Sequence, residues 1–169
     1  SREAERQTIA QTRAAIEGLG QRMRGWLGPG LTETWNTLDL LREAGVDYVA
    51  DWCNDDLPYA MNNGLHSIPY SLELNDMPLF NNPSISIDDF HRRICETFDV
   101  LYEEGGKSPR VMCVALHPFL IGVPHRIRWL DKALAHIRSH DRVWLATGAE
   151  IIDAFALHKT GAQTTGAAP

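Results

Sequence analysis

Apolar residues recur along this chain at two different spacings, and the change from one to the other marks its elements. Between residues 4 and 19, Ile9, Ala10, Ala14, Ile16 and Leu19 fall along one side of a helix, with glutamates and arginines on the other. Gly18 and Gly20 end it. Residues 22–26 then read as a short strand, and Leu27-Gly28-Pro29-Gly30 as a turn whose glycines allow close backbone approach. Thr32 and Trp35 open a second helix that runs through Leu38, Leu41 and Ala44 to Gly45. A strand at 47–50 empties into an acidic loop, residues 51–59, with the sequence DWCNDDLPY. The looser alternation of 68–74 predicts another strand with Pro69 at its start, followed by a loop over 75–86.

A helix begins at Ile87 or Asp88 behind a Ser86 cap, and it carries Asp88 and Asp89 in the first turn, where the helix dipole favours acids. It reaches Gly105-Gly106. Residues 111–116 form a nearly unbroken apolar run that reads as a central parallel strand. A helix over 125–139, a strand over 143–146 and a helix over 148–158 complete the pattern, so that one domain is expected over 1–159. The small polar residues of 160–169 are expected to form a flexible tail.

Helix and strand alternate, which predicts an α/β fold with a parallel sheet or part of a barrel. The first helix has no strand before it, and about five strands are fewer than a closed eight-stranded barrel needs. The expectation is the carboxyl-terminal portion of a (β/α) barrel.

The candidate chemistry sits at the strand ends. His117 follows the apolar run directly and precedes Pro118, the position from which α/β proteins point polar side chains at ligands. Its imidazole can act as general acid, general base or metal ligand, or simply cap the strand by bonding loop carbonyls. Asp51, Asp55 and Asp56 put three carboxylates in one loop, where each alone is as well explained as a turn residue. Trp26 and Trp52 stand at strand ends and suit a pocket, whereas Trp35, Trp129 and Trp144 fall where core packing is expected. Brought together, 24–30, 51–59 and 116–118 would supply an acid/base histidine, orienting carboxylates and backbone amides for an oxyanion, which suits hydrolysis at an amide-like carbon.

Composition narrows the partners. With 44% hydrophobic and 22% charged residues, the chain of 169 residues is that of a globular protein. A net charge of −6 argues against nucleic acid or an anionic membrane as partner. Cys53, Cys95 and Cys113 are odd in number and widely spaced, which fits reduced thiols in a cytoplasm. No metal ligand is assigned. His136 and His140 have the i, i+4 spacing of a metal clamp, but the sequence offers no third ligand to join them. The chain also lacks a dinucleotide fingerprint, a phosphate-binding Gly-Lys-Ser/Thr loop and a Gly-x-Ser-x-Gly elbow.

The stretches RGWLGPGLTET, YVADWCNDDLPY, ALHPFLIGVPHRIRWLDKAL and VWLATGAEIID, in this order, resemble the polysaccharide deacetylase (NodB-like) family, and most closely its branch of allantoinase-like cyclic amide hydrolases. The resemblance implies a distorted (β/α) barrel, of which this chain matches the carboxyl-terminal portion. It implies that His117 is the general acid that protonates the leaving nitrogen, that Asp51 orients and tunes it, and that Arg24 positions a catalytic aspartate. Trp26, Gly28, Gly30, Trp52, Asp55, Asp56 and Tyr59 would contact substrate.

The family's catalytic aspartate and metal-binding histidine pair would lie upstream of residue 4. The implied function is thus a carbon–nitrogen bond hydrolase fragment or subunit, acting on a small-molecule amide, ureide or N-acetyl substrate and completed by a second polypeptide. The chain itself supplies no cofactor site. A divalent metal such as zinc would be held by the missing half, and an oligomer is expected. The alternative is a non-catalytic binding or scaffold subunit built on the same barrel half.

Overall fold

The computed structural model describes residues 1–81 and 84–164, with the backbone alone for 159–164. Its elements are α1 (Arg2–Gly18), β1 (Gly25–Trp26), a 3₁₀ turn (Pro29–Leu31), α2 (Thr37–Glu43), β2 (Tyr48–Val49), β3 (Tyr59–Ala60), β4 (His66–Ser67), α3 (Asp76–Phe80), α4 (Ile87–Gly105), α5 (Pro118–Ile121), α6 (Pro124–Arg138) and α7 (Gly148–Thr164). The chain divides into two compact units. Among the described residues, one comprises 1–52, 58–68 and the chain from 146 on, and the other 53–57 and the chain between 69 and 145.

The first unit holds a four-stranded sheet in the order β1-β2-β4-β3. β1, β2 and β4 run parallel, and β3 is antiparallel to β4. Ile9 of α1, Leu40 and Leu41 of α2, and Val46, Val49 and Leu65 beside the strands are buried together as its core. Gly25 lets the Tyr48 ring lie against β1, because a Cβ there would clash with the ring unless Tyr48 moved. The second unit is centred on α4 and α6. Phe90, Ile94 and Phe98 form a buried stripe at helical spacing, and Leu130, Ala133 and Ile137 of α6 share their core.

The helices follow the sequence pattern more closely than the strands do. Residues 111–116 are extended but form no strand. Within the second unit a single parallel bridge joins Ala115 to Asn75, with Ala115 N–H donating to Leu74 O at 3.0 Å and Asp76 N–H to Ala115 O at 3.1 Å. Residues 143–146 form no strand either, and the predicted strand at 68–74 is replaced by the earlier β4. Strand formation needs a neighbour to supply the ladder, and a favourable side-chain pattern cannot provide one.

The second helix starts at Thr37 instead of Thr32, because Thr32 is itself extended, at φ −96° and ψ 132°, behind the left-handed turn at Gly30 and Leu31. Trp35 thereby lies outside the helix and fully exposed, and Trp144 is 59% exposed, so neither packs in the core. Helix α7 continues to Thr164, past the predicted helix end at 158, and residues 165–169 of the expected tail lie outside the described residues. Among the described residues no helix is long and apolar enough to cross a membrane.

Candidate active site

The second unit places His117 against a buried carboxylate. The bridge between Asn75 and Ala115 sets the register, so that the next residue on one side, Asp76, meets the chain at His117 on the other. Asn75 caps α3 by accepting the Met77 N–H, which starts the helix at Asp76. The Asp76 side chain is 0% exposed. It accepts the His117 main-chain N–H at 2.8 Å through Oδ2, and it meets Nδ1 of the imidazole at 2.6 Å through Oδ1.

A buried carboxylate requires such partners, and its two oxygens here grip the backbone and the ring of one residue. His117 is the N-cap residue of α5 yet makes no side-chain capping bond to that helix. Holding Nδ1 on Asp76 fixes the tautomer and presents Nε2 as the nitrogen able to exchange a proton with a ligand. Phe119 stands edge-on to the ring at 5.6 Å.

Asp76 was not among the residues the sequence singled out, and Asp51 was expected in its role. Asp51 has other partners in the first unit. Its Oδ1 accepts the Gly28 N–H at 2.6 Å, and its carboxyl pairs with that of Glu33, which also takes a hydrogen bond from the Trp52 side chain. Asp51 Oδ2 and Glu33 Oε1 are both buried without a donor from the protein. A hydrogen bond between the two carboxyls requires one of them to hold a proton. Burial, followed by the charge of Asp51, pushes the Glu33 carboxyl up to about 7, and burial likewise raises Asp51.

Gly28 is required for this contact, because a Cβ would come within 2.6 Å of Thr32 O and 3.0 Å of Asp51 Oδ1. Its N–H is therefore committed to Asp51 and not held open for an oxyanion. Gly30 serves the turn through its positive φ.

Arg24 is likewise committed. Its Nε donates to Asp47 at 2.6 Å, and its two terminal nitrogens form a fork onto Asp153 at 2.8 and 2.7 Å, which ties β1 to α7. Asp153, then Asp47, hold the guanidinium pKa above its ordinary value. Trp26 is half-buried on β1 and lines a cleft of about 480 Å³ in the first unit with Glu5, Pro29, Thr32 and Glu33. In the second unit Asp55 and Asp56 line a smaller cleft of about 140 Å³ with Tyr70, Glu73 and Cys113. Tyr59 belongs to β3.

Among the described residues one group converges closely enough to hold a metal ion. It consists of Asp99, His136 and His140, and it does not include His117. The third ligand that the sequence did not supply comes from α4, 37 residues before His136. The Nδ1 of His117 is taken by Asp76, which leaves Nε2 free, and among the described residues no pair of further ligands gathers around it.

The relatives agree with this architecture. A Schizosaccharomyces pombe protein provisionally described as a polysaccharide deacetylase is 39% identical over 121 residues, which are 63% of this chain and 38% of that protein. The crystal structure of Puue allantoinase superposes with a TM-score of 0.82 at 32% identity, over 90% of this chain and 53% of the other. A Pseudomonas aeruginosa protein provisionally described as a polysaccharide deacetylase gives 0.81 at 33% identity over the same shares. A Mycobacterium smegmatis protein of like description, at 24% identity, shares the fold with a TM-score of 0.81 over 94% of this chain and 58% of its own. No family model matches the chain. The chain thus spans about half the length of the solved structures it resembles, and its fold is a portion of theirs.

Proposed function

We propose, starting from a chain that resembles polysaccharide deacetylases in sequence and carries part of their barrel, that it forms the carboxyl-terminal part of a hydrolase of carbon–nitrogen bonds. His117 is its general acid. The observation that carries this reading is the grip of the buried Asp76 on both the backbone and the ring of His117, because that arrangement spends a desolvated carboxylate on fixing one imidazole.

In the reaction, Nε2 of His117 gives a proton to the departing nitrogen, and Asp76 stabilises the ring while it is charged. The nucleophile-activating aspartate, and any divalent metal such as zinc, belong to a segment or second polypeptide outside this chain. The share of the related structures that the chain leaves uncovered supports this division. The substrate is a compact amide or ureide. That reading rests on the likeness to Puue allantoinase, since the small cleft beside Asp55 and Asp56 is not lined by His117.

The test is turnover by the complete protein. His117→Ala is expected to lower kcat by about 10²–10⁴-fold with little change in KM, and Asp76→Asn to lower it by about 10²-fold. Unchanged turnover with altered ligand affinity in His117→Ala would favour the binding-subunit alternative. Hydrolysis of chitin oligomers with indifference to ureides would overturn the substrate assignment.

A further inference from the structure

The cluster at the far ends of α4 and α6 plays no part in the reaction just described. We infer that Asp99, His136 and His140 form a binding site for a divalent transition-metal ion, zinc by preference, that pins α4 to α6. One ligand atom from each side chain lies within 4.8 Å of the other two, the span that a single ion can bridge. His136 stands in the last turn of α6 and His140 two residues past its end, with ring centroids 4.9 Å apart, and Asp99 reaches across from α4 to place Oδ1 2.6 Å from Nε2 of His136.

Several features favour a cation here. The two imidazoles stand at the carboxyl end of α6, where the free carbonyls carry partial negative charge. The His140 Nδ1 lies 2.9 Å from the His136 carbonyl oxygen, which anchors that ring against the helix end. On the inner side, Phe98 meets both imidazoles edge-on and Tyr102 meets His140, so the rings are backed by an apolar wall. Tyr102 is fixed in turn by donating its hydroxyl to Asp141 O at 3.0 Å.

Asp99 is exposed, which leaves a path for the ion and room for water as fourth ligand. Two imidazoles and one carboxylate match the preferences of zinc and cobalt, and not those of calcium or magnesium, which call for more oxygen. The ligands come from α4 and from the end of α6 with the turn that follows it. Binding therefore stabilises the fold that brings them together.

The experiment is titration of the metal-stripped 169-residue chain with cobalt(II), followed by its visible absorption and by displacement with zinc. One equivalent is expected to bind, with the intense bands of a four-coordinate site, and zinc is expected to raise the unfolding midpoint by roughly 4 °C or more. His140→Gln and Asp99→Asn should each weaken binding about tenfold or more and abolish the thermal shift, with unchanged far-ultraviolet circular dichroism. Asp99 lies on the surface, so its variant keeps the test valid if the histidine variant folds poorly. Absence of saturable binding, or binding that both variants leave unchanged, overturns the site.

Discussion

At the scale of single residues, two carboxylates with different environments do different work. Asp76 is buried against donors from a single residue, and its purpose is geometric. Glu33 is partly buried beside another acid, and its carboxyl holds a proton up to about pH 7, whereas an unperturbed glutamate releases it near 4.5. Between those values the folded state binds more protons than the unfolded chain, so stability falls as pH rises through this window. Asp51 and Glu33 titrate as a pair, and the decline belongs to both.

Glu33→Gln replaces the shared proton with an amide donor that does not titrate. The urea midpoint of the parent protein is expected to decline from pH 5 to 8 and that of the variant to stay nearly level, leaving the variant the more stable at pH 8. Parallel profiles would show that the two carboxyls do not share a proton. His117 was legible in the sequence because a strand-like run ended on it. Asp76 was not, because its role depends on a register between segments 41 residues apart, which no local pattern encodes.

At the scale of elements, α4 shows how much a local pattern can specify. Ser86 accepts the Asp89 N–H, and Asp89 accepts the Ser86 N–H in return, a reciprocal cap that starts the helix at Ile87 as its sequence indicates. The Ser86 side chain, then Arg92, draw the Asp89 carboxyl down to about 2. Ser86→Ala should lower stability by about 1 kcal/mol near neutral pH, measured as a shift in the urea midpoint. A carboxylate favoured by the fold stabilises fully above its ordinary pKa and loses that contribution as pH falls through its folded value. The difference between parent and variant should therefore shrink as pH drops from about 4 towards 2.

The strands lacked any comparable self-sufficient signal. β1, β2, β3 and β4 are each two residues long, and each exists only where a neighbour completes its bonds. The run at 111–116 has the composition of a buried strand, yet only Ala115 finds a bridging partner. The helix expected from Thr32 fails for the opposite reason: the local backbone at Gly30 and Leu31 overrides a reasonable apolar spacing.

At the scale of the whole molecule, the two misplaced tryptophans become informative together. Trp35 and Trp144 were assigned to the core by pattern, and both are exposed, as are Leu116, Phe119 and Leu145 near the ends of the extended segments. Scattered exposed apolar residues are ordinary, but large ones that follow a buried pattern suit surfaces that another part of the barrel covers. The related structures are about twice as long as the portion this chain matches, which supports the same proposal.

If an amino-terminal barrel segment from a relative of this type is supplied in trans or fused ahead of Ser1, tryptophan emission should shift to shorter wavelength and iodide quenching should decrease. Trp35→Phe and Trp144→Phe, made separately, identify which tryptophan becomes covered. The unfolding midpoint should rise in the same samples, since each Å² of apolar surface withdrawn from water contributes about 25 cal/mol. Unchanged quenching, with no association between the two pieces, would mean that the exposed tryptophans face solvent in the functional protein. The carboxyl-terminal unit would then have to be explained as a binding module in its own right.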